Sequence, residues 1–395
     1  MVERADDELT VDDAVQVLDH LVRRAVALRA SDIHLEPKRR ELRVRYRIDG
    51  VLADQGMLPA LLAPPLLTRV KVLGRMDMTE RRLPQDGQFT LEFPDGELVH
   101  LRASTFPAIH GETLVLRVLL GHQLIVLDKL GLSSEQLATV ERLIDRPSGL
   151  VLVCGPTGSG KTSTLYSILQ RLDTEDISVV TLEDPIEVEF PHVTQGQANV
   201  RQGFTFAAGL RAILRQDPDV IMVGEMRDPE TSQIALQASL TGHQVFSTLH
   251  TADAVETMTR LVDLGAEPWI VANALLAVVA QRLVRRLCVH CAEPIGLLND
   301  LTAGSGDDRV LLRAGTSIKR PKGCPRCHDT GYSGRTGIFE LLELDDELRD
   351  LVKSRAATRD YREHTKRIGA RGLREAGLEL VATGVTSLEE VLRVT

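Results

Sequence analysis

The sequence predicts an α/β protein: a small α+β domain, a larger domain built on a mostly parallel sheet, a tetracysteine segment and closing helices. Three observations lead to this class. Segments that alternate apolar and polar residues fill the first third of the chain, apolar strands alternate with helices in the middle, and four cysteines form two close pairs near the end. The 395 residues suffice for two or three domains, each with its own core.

The first domain begins with a helix. Apolar residues between 12 and 30 recur at helical spacing, which predicts an amphipathic helix. Segments such as "ELRVRYRIDG" and "FTLEFPDGELVHLRAST" then alternate apolar and polar residues around the turn signals Asp49-Gly50 and Asp95-Gly96. This pattern is typical of strands and hairpins. Residues 1–125 are therefore predicted to form a small α+β domain.

The second domain, predicted for residues 126–284, alternates strands and helices. The strands are "GLVLV", "ISVVTLED", "DVIMVGE" and "HQVFSTLH", and helices begin at 161 and near 205 and 229. Apolar strands separated by helices imply a mostly parallel sheet covered on both faces. The run "WIVANALLAVVA" at 269–280 is shorter than the ~20 residues that span a bilayer. We predict a buried helix there, with a membrane-associated segment as the alternative.

Two cysteine pairs mark a third region, residues 285–340, ahead of a helical region predicted for 341–395. Cys288 and Cys291 form one C-x-x-C pair, and Cys324 and Cys327 form the other. Each pair can present two thiolates to one tetrahedral Zn²⁺, and a reducing cytoplasm disfavours disulfides. The long segment between the pairs is expected to form a loop or a helix hairpin. The neighbouring histidines at 290 and 328 are alternative ligands.

Composition argues against nucleic acid as a direct partner and against export. The net charge of −9 provides no general polyanion-binding surface, and only 3% of residues are aromatic, too few for a groove of base-stacking rings. The N-terminus is acidic and lacks the basic and apolar segments of a signal peptide. The sequence therefore predicts a cytoplasmic protein.

The stretch after "GLVLV" matches the phosphate-loop pattern G-x-x-x-x-G-K-[ST]. Glycine lets backbone N–H groups close around an anion where a Cβ would obstruct the approach. We predict that Lys161 contacts the β- and γ-phosphates of ATP and that Thr162 binds Mg²⁺. The alternative is a glycine-rich connector, and Cys154 before it is interpreted as a small buried residue. The predicted nucleotide-binding residues are Gly155, Pro156, Thr157, Gly158, Ser159, Gly160, Lys161, Thr162 and Ser163.

Hydrolysis also needs a carboxylate that orients or deprotonates the attacking water. Glu183 and Glu225 each end a predicted strand, at the edge where ligands of such sheets bind. Glu225 is assigned the water-polarising role and Glu183 the outer shell of Mg²⁺, although either carboxylate can instead cap the next helix. His250 ends a further strand, and sensing of the γ-phosphate is an alternative there to an ordinary structural role.

Seven motifs, in this order, resemble the secretion ATPases that power type II secretion and type IV pilus assembly. The resemblance covers residues 12–395 and implies a hexameric ring. Each subunit would have a small PAS-like domain joined by a short linker to a RecA-like ATPase domain. The motifs are "SDIHLEP", "RLPQDG", "GPTGSGKTST", "TLEDPIE", "LRQDPDVIMVGEMRD", "STLHTADA" and "CPRCHDTGYSGRTGIFE".

The resemblance also assigns roles to residues. In the family, Glu183 lies in the acidic box, Glu225 in the Walker B segment and His250 in the histidine box. Arginines of the small domain complete the nucleotide site, and Arg102 and Arg117 are the candidates, with solvated strand charges as the alternative. The cysteine pairs favour export or assembly, because pilus-retraction ATPases generally lack them.

The implied function is a cytoplasmic hexameric ATPase that binds an inner-membrane platform protein and so associates peripherally with the inner membrane. The chain starts without the extra N-terminal domain by which longer members dock onto an inner-membrane partner. Three alternatives remain: a DNA-uptake or conjugation ATPase, a pilus-retraction ATPase, and a nucleotide-dependent binding module without turnover. Glu225 argues against the last.

Overall fold

The computed structural model describes residues 11–119, 124–304 and 307–395. The acidic N-terminal stretch falls largely on residues 1–10, outside these ranges, as do residues 305 and 306 of the segment between the two cysteine pairs. Two compact units are present, Met1–His122 and Gln123–Thr395.

The first unit places helices against one antiparallel sheet of six strands. The elements are α1 Val11–Ala27, β1 Ala30–Pro37, β2 Glu41–Ile48, β3 Val51–Pro59, α2 Ala63–Leu73, β4 Gln85–Glu92, β5 Leu98–Ala108 and β6 Gly111–Leu119. The strand order is β3-β2-β1-β6-β5-β4. The predicted first helix and both predicted hairpins are present. Asp49 and Gly50 turn the chain with φ of 47° and 85°, and Gly96 does so with φ of 84°.

One face of this sheet forms the core of the unit. Leu18 and Val22 of α1 are fully buried, together with Ile33 of β1 and Leu116 of β6. Tyr46 of β2 is also buried, and its hydroxyl donates a hydrogen bond to the carbonyl oxygen of Leu21 at 2.8 Å. Because side chains alternate along each strand, the charged residues between these core positions lie on the opposite face.

The second unit contains the phosphate loop. The elements are α3 Ser134–Ile144, β7 Gly149–Cys154, α4 Lys161–Leu172, β8 Val179–Glu183, β9 Val193–Gln197, α5 Phe206–Ile213, β10 Val220–Val223, α6 Pro229–Leu240, β11 Gln244–Leu249, α7 Ala254–Asp263, α8 Pro268–Ala274, β12 Leu275–Leu287, β13 Glu293–Gly296, β14 Leu301–Gly304, β15 Asp307–Leu312, β16 Ser317–Arg320, β17 Tyr332–Glu343, α9 Asp346–Lys353, α10 Thr358–Arg367, α11 Leu373–Ala382 and α12 Leu388–Val394.

Seven strands form the main sheet in the order β17-β12-β7-β11-β10-β8-β9. All neighbours are parallel except β12 and β17. Both faces are covered, as predicted, because alternate residues of β7 enter different cores. Leu150 and Leu152 belong to one buried cluster, while Val151 and Val153 belong to the other.

The prediction of a buried helix over 269–280 is wrong in its second half. Helix α8 ends at Ala274, and the chain continues directly as the thirteen-residue strand β12. The strand is buried against β7 on one side and β17 on the other. A continuous apolar run has no periodicity that distinguishes a buried helix from a buried strand. Among the described residues, no helix is both long enough and apolar enough to cross a bilayer.

The segment between the cysteine pairs is built from short strands, so the expected loop or helix hairpin is also wrong. β13 pairs with β16, and β14 pairs with β15, both antiparallel. The predicted closing helices are present as α9 to α12.

Candidate functional site

The phosphate loop connects the end of β7 to the start of α4 and depends on glycine at three positions. Gly155, Gly158 and Gly160 have φ of 150°, 80° and 93°, values that residues with a Cβ rarely adopt. A Cβ on Gly155 would also lie 2.5 Å from Ser159 Oγ. The loop therefore keeps its backbone clear in the way that phosphate binding requires.

Two buried polar groups show that this loop fits an anion. Ser159 is 3% exposed, and its hydroxyl has no hydrogen-bond partner in the described part of the chain. Lys161 is also buried, and its ammonium donates to the carbonyl oxygens of Gly155 at 2.8 Å and Pro156 at 3.2 Å. Burial lowers the pKa of Lys161, while Glu225 opposes this shift. Phosphate oxygens would provide acceptors for both groups.

Thr162, the predicted magnesium ligand, lies in the first turn of α4 with its side chain exposed to solvent. A threonine hydroxyl at this position of a phosphate loop is a suitable ligand for Mg²⁺, which prefers oxygen ligands and retains several waters. The residues present therefore fit a magnesium–nucleotide complex.

Glu225 and His250 come together after β10 and β11. Glu225 Oε2 lies 2.7 Å from Arg227 Nε and 3.4 Å from His250 Nε2. Burial lowers the pKa of His250, the ammonium of Lys161 lowers it further, and Glu225 raises it. The phosphate-loop lysine thus acts electrostatically on both residues, so the three predicted site residues share one edge of the sheet.

Glu183, at the end of β8, has a different environment. Its side chain is 3% exposed and accepts hydrogen bonds from Tyr166 Oη at 2.5 Å, Thr181 Oγ1 at 2.6 Å and Gln195 Nε2 at 3.1 Å. Tyr166 belongs to α4, the helix that begins at Lys161 of the phosphate loop. Glu183 therefore connects the end of β8 to α4 through its hydrogen bond with Tyr166. Its predicted role in the outer shell of Mg²⁺ remains a prediction.

Arg102 and Arg117 lie in the first unit, directly opposite each other on β5 and β6. Both point away from the core side of the sheet, where Leu101 and Leu116 are buried. Arg117 Nε lies 3.1 Å from Asp32 Oδ1, whereas Arg102 has no hydrogen bond or ion pair within the described ranges. The structure thus places two like charges side by side, and their predicted role at the nucleotide remains a prediction.

Three polar residues near the phosphate loop were not predicted as site residues: Arg227, Gln281 and Arg282. The signal for Arg227 was available, because it lies two residues after Glu225 in the same motif. Gln281 and Arg282 follow the run that was predicted to be a helix, so their position beside the loop could not be recognised.

The four cysteines converge on one point, and their sulfur atoms all lie within 4.8 Å of one another. The Sγ–Sγ distances are 3.9 Å for Cys288 and Cys324 and 3.8 Å for Cys291 and Cys327. The Sγ atoms of Cys324 and Cys327 are 3.7 Å apart. Four thiolates bound at about 2.3 Å around a tetrahedral ion would lie about 3.8 Å apart. The residues present therefore fit Zn²⁺.

Backbone donors support the thiolate form within this cluster. The N–H groups of Cys324 and Gly331 point at Cys327 Sγ, at 3.2 Å and 3.3 Å. Burial raises the pKa of the Cys327 thiol, but these backbone donors, together with hydrogen bonds from the Cys324 and Cys291 thiols, lower the pKa to about 7. Neither His290 nor His328 joins the set of potential ligands found in the described residues.

Comparison with known sequences gives one consistent result. The family model described as type II/IV secretion system protein matches residues 7–393. The chain is 48% identical over 383 residues to the type II secretion system protein HxcR of Pseudomonas aeruginosa, covering 96% of this chain and 77% of that protein. It is 46% identical to the type II secretion system ATPase E of Vibrio cholerae, covering 97% and 76%. It is 44% identical to the type IV pilus assembly ATPase TfpB of Acinetobacter baylyi, covering 96% and 65%.

Solved structures with the same architecture include the ATPase DotB of Legionella pneumophila, with a TM-score of 0.69, 23% identity and coverage of 98% of this chain and 97% of that chain. At this identity the likeness concerns the fold alone. The pilus retraction motor PilT with bound ADP superimposes with a TM-score of 0.63 at 28% identity, covering 95% and 96%. These likenesses confirm the predicted fold class, a small α+β domain followed by a RecA-like core.

Proposed function

The chain belongs to the type II/IV secretion system protein family, and from this premise we propose that it hydrolyses ATP to power a type II secretion or type IV pilus assembly machine. One observation carries the proposal: Glu225 and His250 lie 3.4 Å apart at the carboxyl edge of the parallel sheet, and the buried Lys161 ammonium is close enough to act electrostatically with both. This edge is where doubly covered sheets bind their ligands, and the three side chains match the requirements of phosphoryl transfer.

The phosphate loop holds the nucleotide in this proposal. Backbone N–H groups of residues 157–162 and the start of α4 would surround the phosphates. Lys161 would exchange its carbonyl partners for phosphate oxygens, Thr162 would hold Mg²⁺, and Glu183 is assigned to the outer shell of that ion. When bound, Mg²⁺ neutralises charge on the β- and γ-oxygens.

Glu225 orients and polarises the attacking water. Its neighbours Arg227 and His250 restrict the carboxylate to one orientation. Because burial lowers the pKa of His250, its ring is neutral at pH 7, so it can donate a hydrogen bond to Glu225 without adding a second full charge. A neutral ring at this position can also contact a phosphate oxygen while it contacts the Glu225 carboxylate. This is the γ-phosphate-sensing role that we assign to His250.

Arg102 and Arg117 supply charge to the transition state in this proposal. A γ-phosphoryl group that leaves ADP spreads negative charge over three oxygens, and an inserted arginine accelerates related reactions by ~10³–10⁵-fold. The exposed, adjacent positions of the two guanidinium groups on β5 and β6 support this assignment. The arginines would reach a nucleotide of the same or a neighbouring subunit when the subunits close.

Zinc would have a structural role at the four cysteines. Cys288, Cys291, Cys324 and Cys327 would all be ligands, and a four-thiolate site leaves no open position for chemistry. Cys288 directly follows β12, and its backbone N–H donates to the carbonyl oxygen of Gly331 at 2.9 Å. The metal would therefore stabilise the segment 285–340 against the main sheet.

The working assembly that we propose is a homo-hexamer bound to an inner-membrane platform protein, on the cytoplasmic side of that membrane. Related proteins are named as components of secretion and pilus systems, so this chain is expected to act together with membrane machinery. The division into domains 1–125, 126–284, 285–340 and 341–395 is proposed as the functional one. The small domain would supply the arginines Arg102 and Arg117, the second domain would bind the nucleotide, and the third would bind zinc.

The test of this function is steady-state phosphate release with Mg²⁺ and ATP. Glu225→Gln should retain ATP binding but lose turnover, because it keeps the shape of the side chain and removes the charge. Glu189→Gln, an exposed glutamate of the same unit, is the matched control and should leave turnover unchanged. Turnover of Glu225→Gln at the wild-type rate would refute the assignment.

A further inference from the structure

Two residues of β12, Gln281 and Arg282, lie beside the phosphate loop. β12 runs parallel to β7, and Ala280 pairs with Cys154 in the register. The residues that follow this pair are Gln281, still on β12, and Gly155, the first loop glycine, which comes directly after the end of β7. This register brings a buried polar side chain next to a loop that must keep an unusual backbone conformation.

Gln281 contacts both ends of the loop. Its side chain is 1% exposed, and Oε1 accepts a hydrogen bond from Thr164 Oγ1 of α4 at 2.7 Å. A Cβ built on Gly160 would lie 2.7 Å from Gln281 Nε2, and a Cβ built on Gly155 would lie 2.6 Å from the Gln281 carbonyl oxygen. One residue thus packs against the opening glycine, the closing glycine and the first helical turn.

Arg282 connects this region to the histidine-box loop, the residues 250–253 between β11 and α7. Its Nη1 donates to the carbonyl oxygen of Gln281 at 2.9 Å, and its Nη2 donates to the carbonyl oxygen of Ala252 at 2.6 Å. Ala252 lies two residues after His250. The same backbone carbonyl that borders Gly155 is therefore connected, through one guanidinium group, to the segment that carries His250.

The geometry points to Gln281 as a positioning residue of the phosphate loop, with Arg282 holding the histidine-box loop against the same peptide group. This inference rests on the proposed role of the loop in nucleotide binding. Gln281 packs against Gly155 and Gly160 and supports their backbone conformation. It therefore affects nucleotide binding through the phosphate loop.

Removing the Gln281 side chain should lower the fraction of molecules whose phosphate loop has the conformation that binds nucleotide. The apparent dissociation constant rises by the inverse of that fraction. Gln281→Ala leaves the buried Thr164 hydroxyl without its acceptor and opens space behind Gly160. We expect about tenfold weaker binding, a change of the size that follows when one buried hydrogen-bonding group loses its partner.

The experiment measures binding of a fluorescent ADP analogue, with Mg²⁺, to the full chain, alongside its melting temperature. Gln244→Ala is the matched control, since Gln244 is 2% exposed and its Nε2 donates to the carbonyl oxygens of Leu143 and Ile144. Gln244 lies at the amino end of β11, away from the phosphate loop. Its variant should lower the melting temperature and leave nucleotide affinity unchanged.

Thr164→Val is the second variant and keeps the inference testable if Gln281→Ala does not fold. It removes only the hydroxyl, keeps the side-chain volume, and should weaken binding in the same direction. In the double variant, the effects on affinity should be less than additive, because the two residues act through one contact.

The results separate this inference from the proposed function. Weaker binding by Gln281→Ala or Thr164→Val, with normal binding by Gln244→Ala, supports it. Wild-type affinity in both loop-side variants overturns it, provided that the wild type binds and Lys161→Ala does not. Equal weakening by Gln244→Ala also overturns it, since the effect would then be general destabilisation. A wild type that does not bind refutes the proposed function itself.

Discussion

Glu390 holds the last helix of the chain to the main sheet, and its removal has a predictable size. The carboxylate lies on α12 with a fully buried side chain. It accepts hydrogen bonds from Arg285 of β12, through Nε at 3.1 Å, Nη2 at 2.8 Å and the backbone N–H at 3.0 Å. Arg393 adds two more, at 3.0 Å and 2.6 Å.

The pKa of Glu390 is shifted by burial and by these hydrogen bonds in opposite directions. Burial alone would raise it, but hydrogen bonds from Arg393 and Arg285 lower it from 4.5 to about 2. Each pH unit of difference corresponds to ~1.4 kcal/mol, so the ionised carboxylate contributes about 3 kcal/mol to the free energy of unfolding at pH 7. Breaking a buried ion pair by removing one partner typically costs a similar ~3–5 kcal/mol.

The sign of the pH dependence follows from the direction of the shift. Because the pKa is lower in the folded chain, the contribution is complete above the unfolded value near 4.5 and is lost as the pH falls towards about 2. Glu390→Gln should therefore be less stable than the wild type by about 3 kcal/mol at pH 7. The difference should persist at pH 6 and shrink below about pH 4.5.

Urea denaturation can be followed through Trp269, the single tryptophan of the chain, which lies in the same unit as Glu390. Glu389→Gln is the matched control, because Glu389 precedes Glu390 on the same helix, is exposed, and carries the same charge. Its effect on the free energy of unfolding should be small. If both variants behaved alike at pH 7, the reasoning about the buried carboxylate would be refuted.

Two further predictions concern the zinc site and the small-domain arginines. Cys324→Ser should reduce the zinc content from one atom per chain to none and lower the melting temperature while leaving nucleotide affinity intact. Elemental analysis of reduced protein checks this, and wild-type protein without zinc would contradict the proposed site. Arg102→Ala and Arg117→Ala should each lower turnover by at least ~10³-fold with little change in nucleotide affinity. Steady-state phosphate release measures the loss, and wild-type turnover in both variants would exclude a direct role at the transition state.

The sequence by itself determined the parts whose chemistry is local. Gly155 to Thr162 form a phosphate loop through their own order, because three glycines, a lysine and three hydroxyl residues within eight positions specify both the backbone shape and the ligands. The cysteine pairs are equally local, since each C-x-x-C already places two thiolates together. Alternating strands and helices were also sufficient to predict the parallel sheet.

Strand register and long-range contacts were decided only by the tertiary structure. The run at 269–280 is apolar except for Asn273, so it became helix α8 and then strand β12 only because β7 and β17 offer edges for pairing. Its wrong assignment also hid Gln281, whose role depends on lying beside Gly155, 126 positions earlier in the sequence. The contact between Arg285 and Glu390 spans 105 positions. A sequence pattern repeats over a few residues, whereas contacts of this kind depend on which strands and helices become neighbours when the core closes.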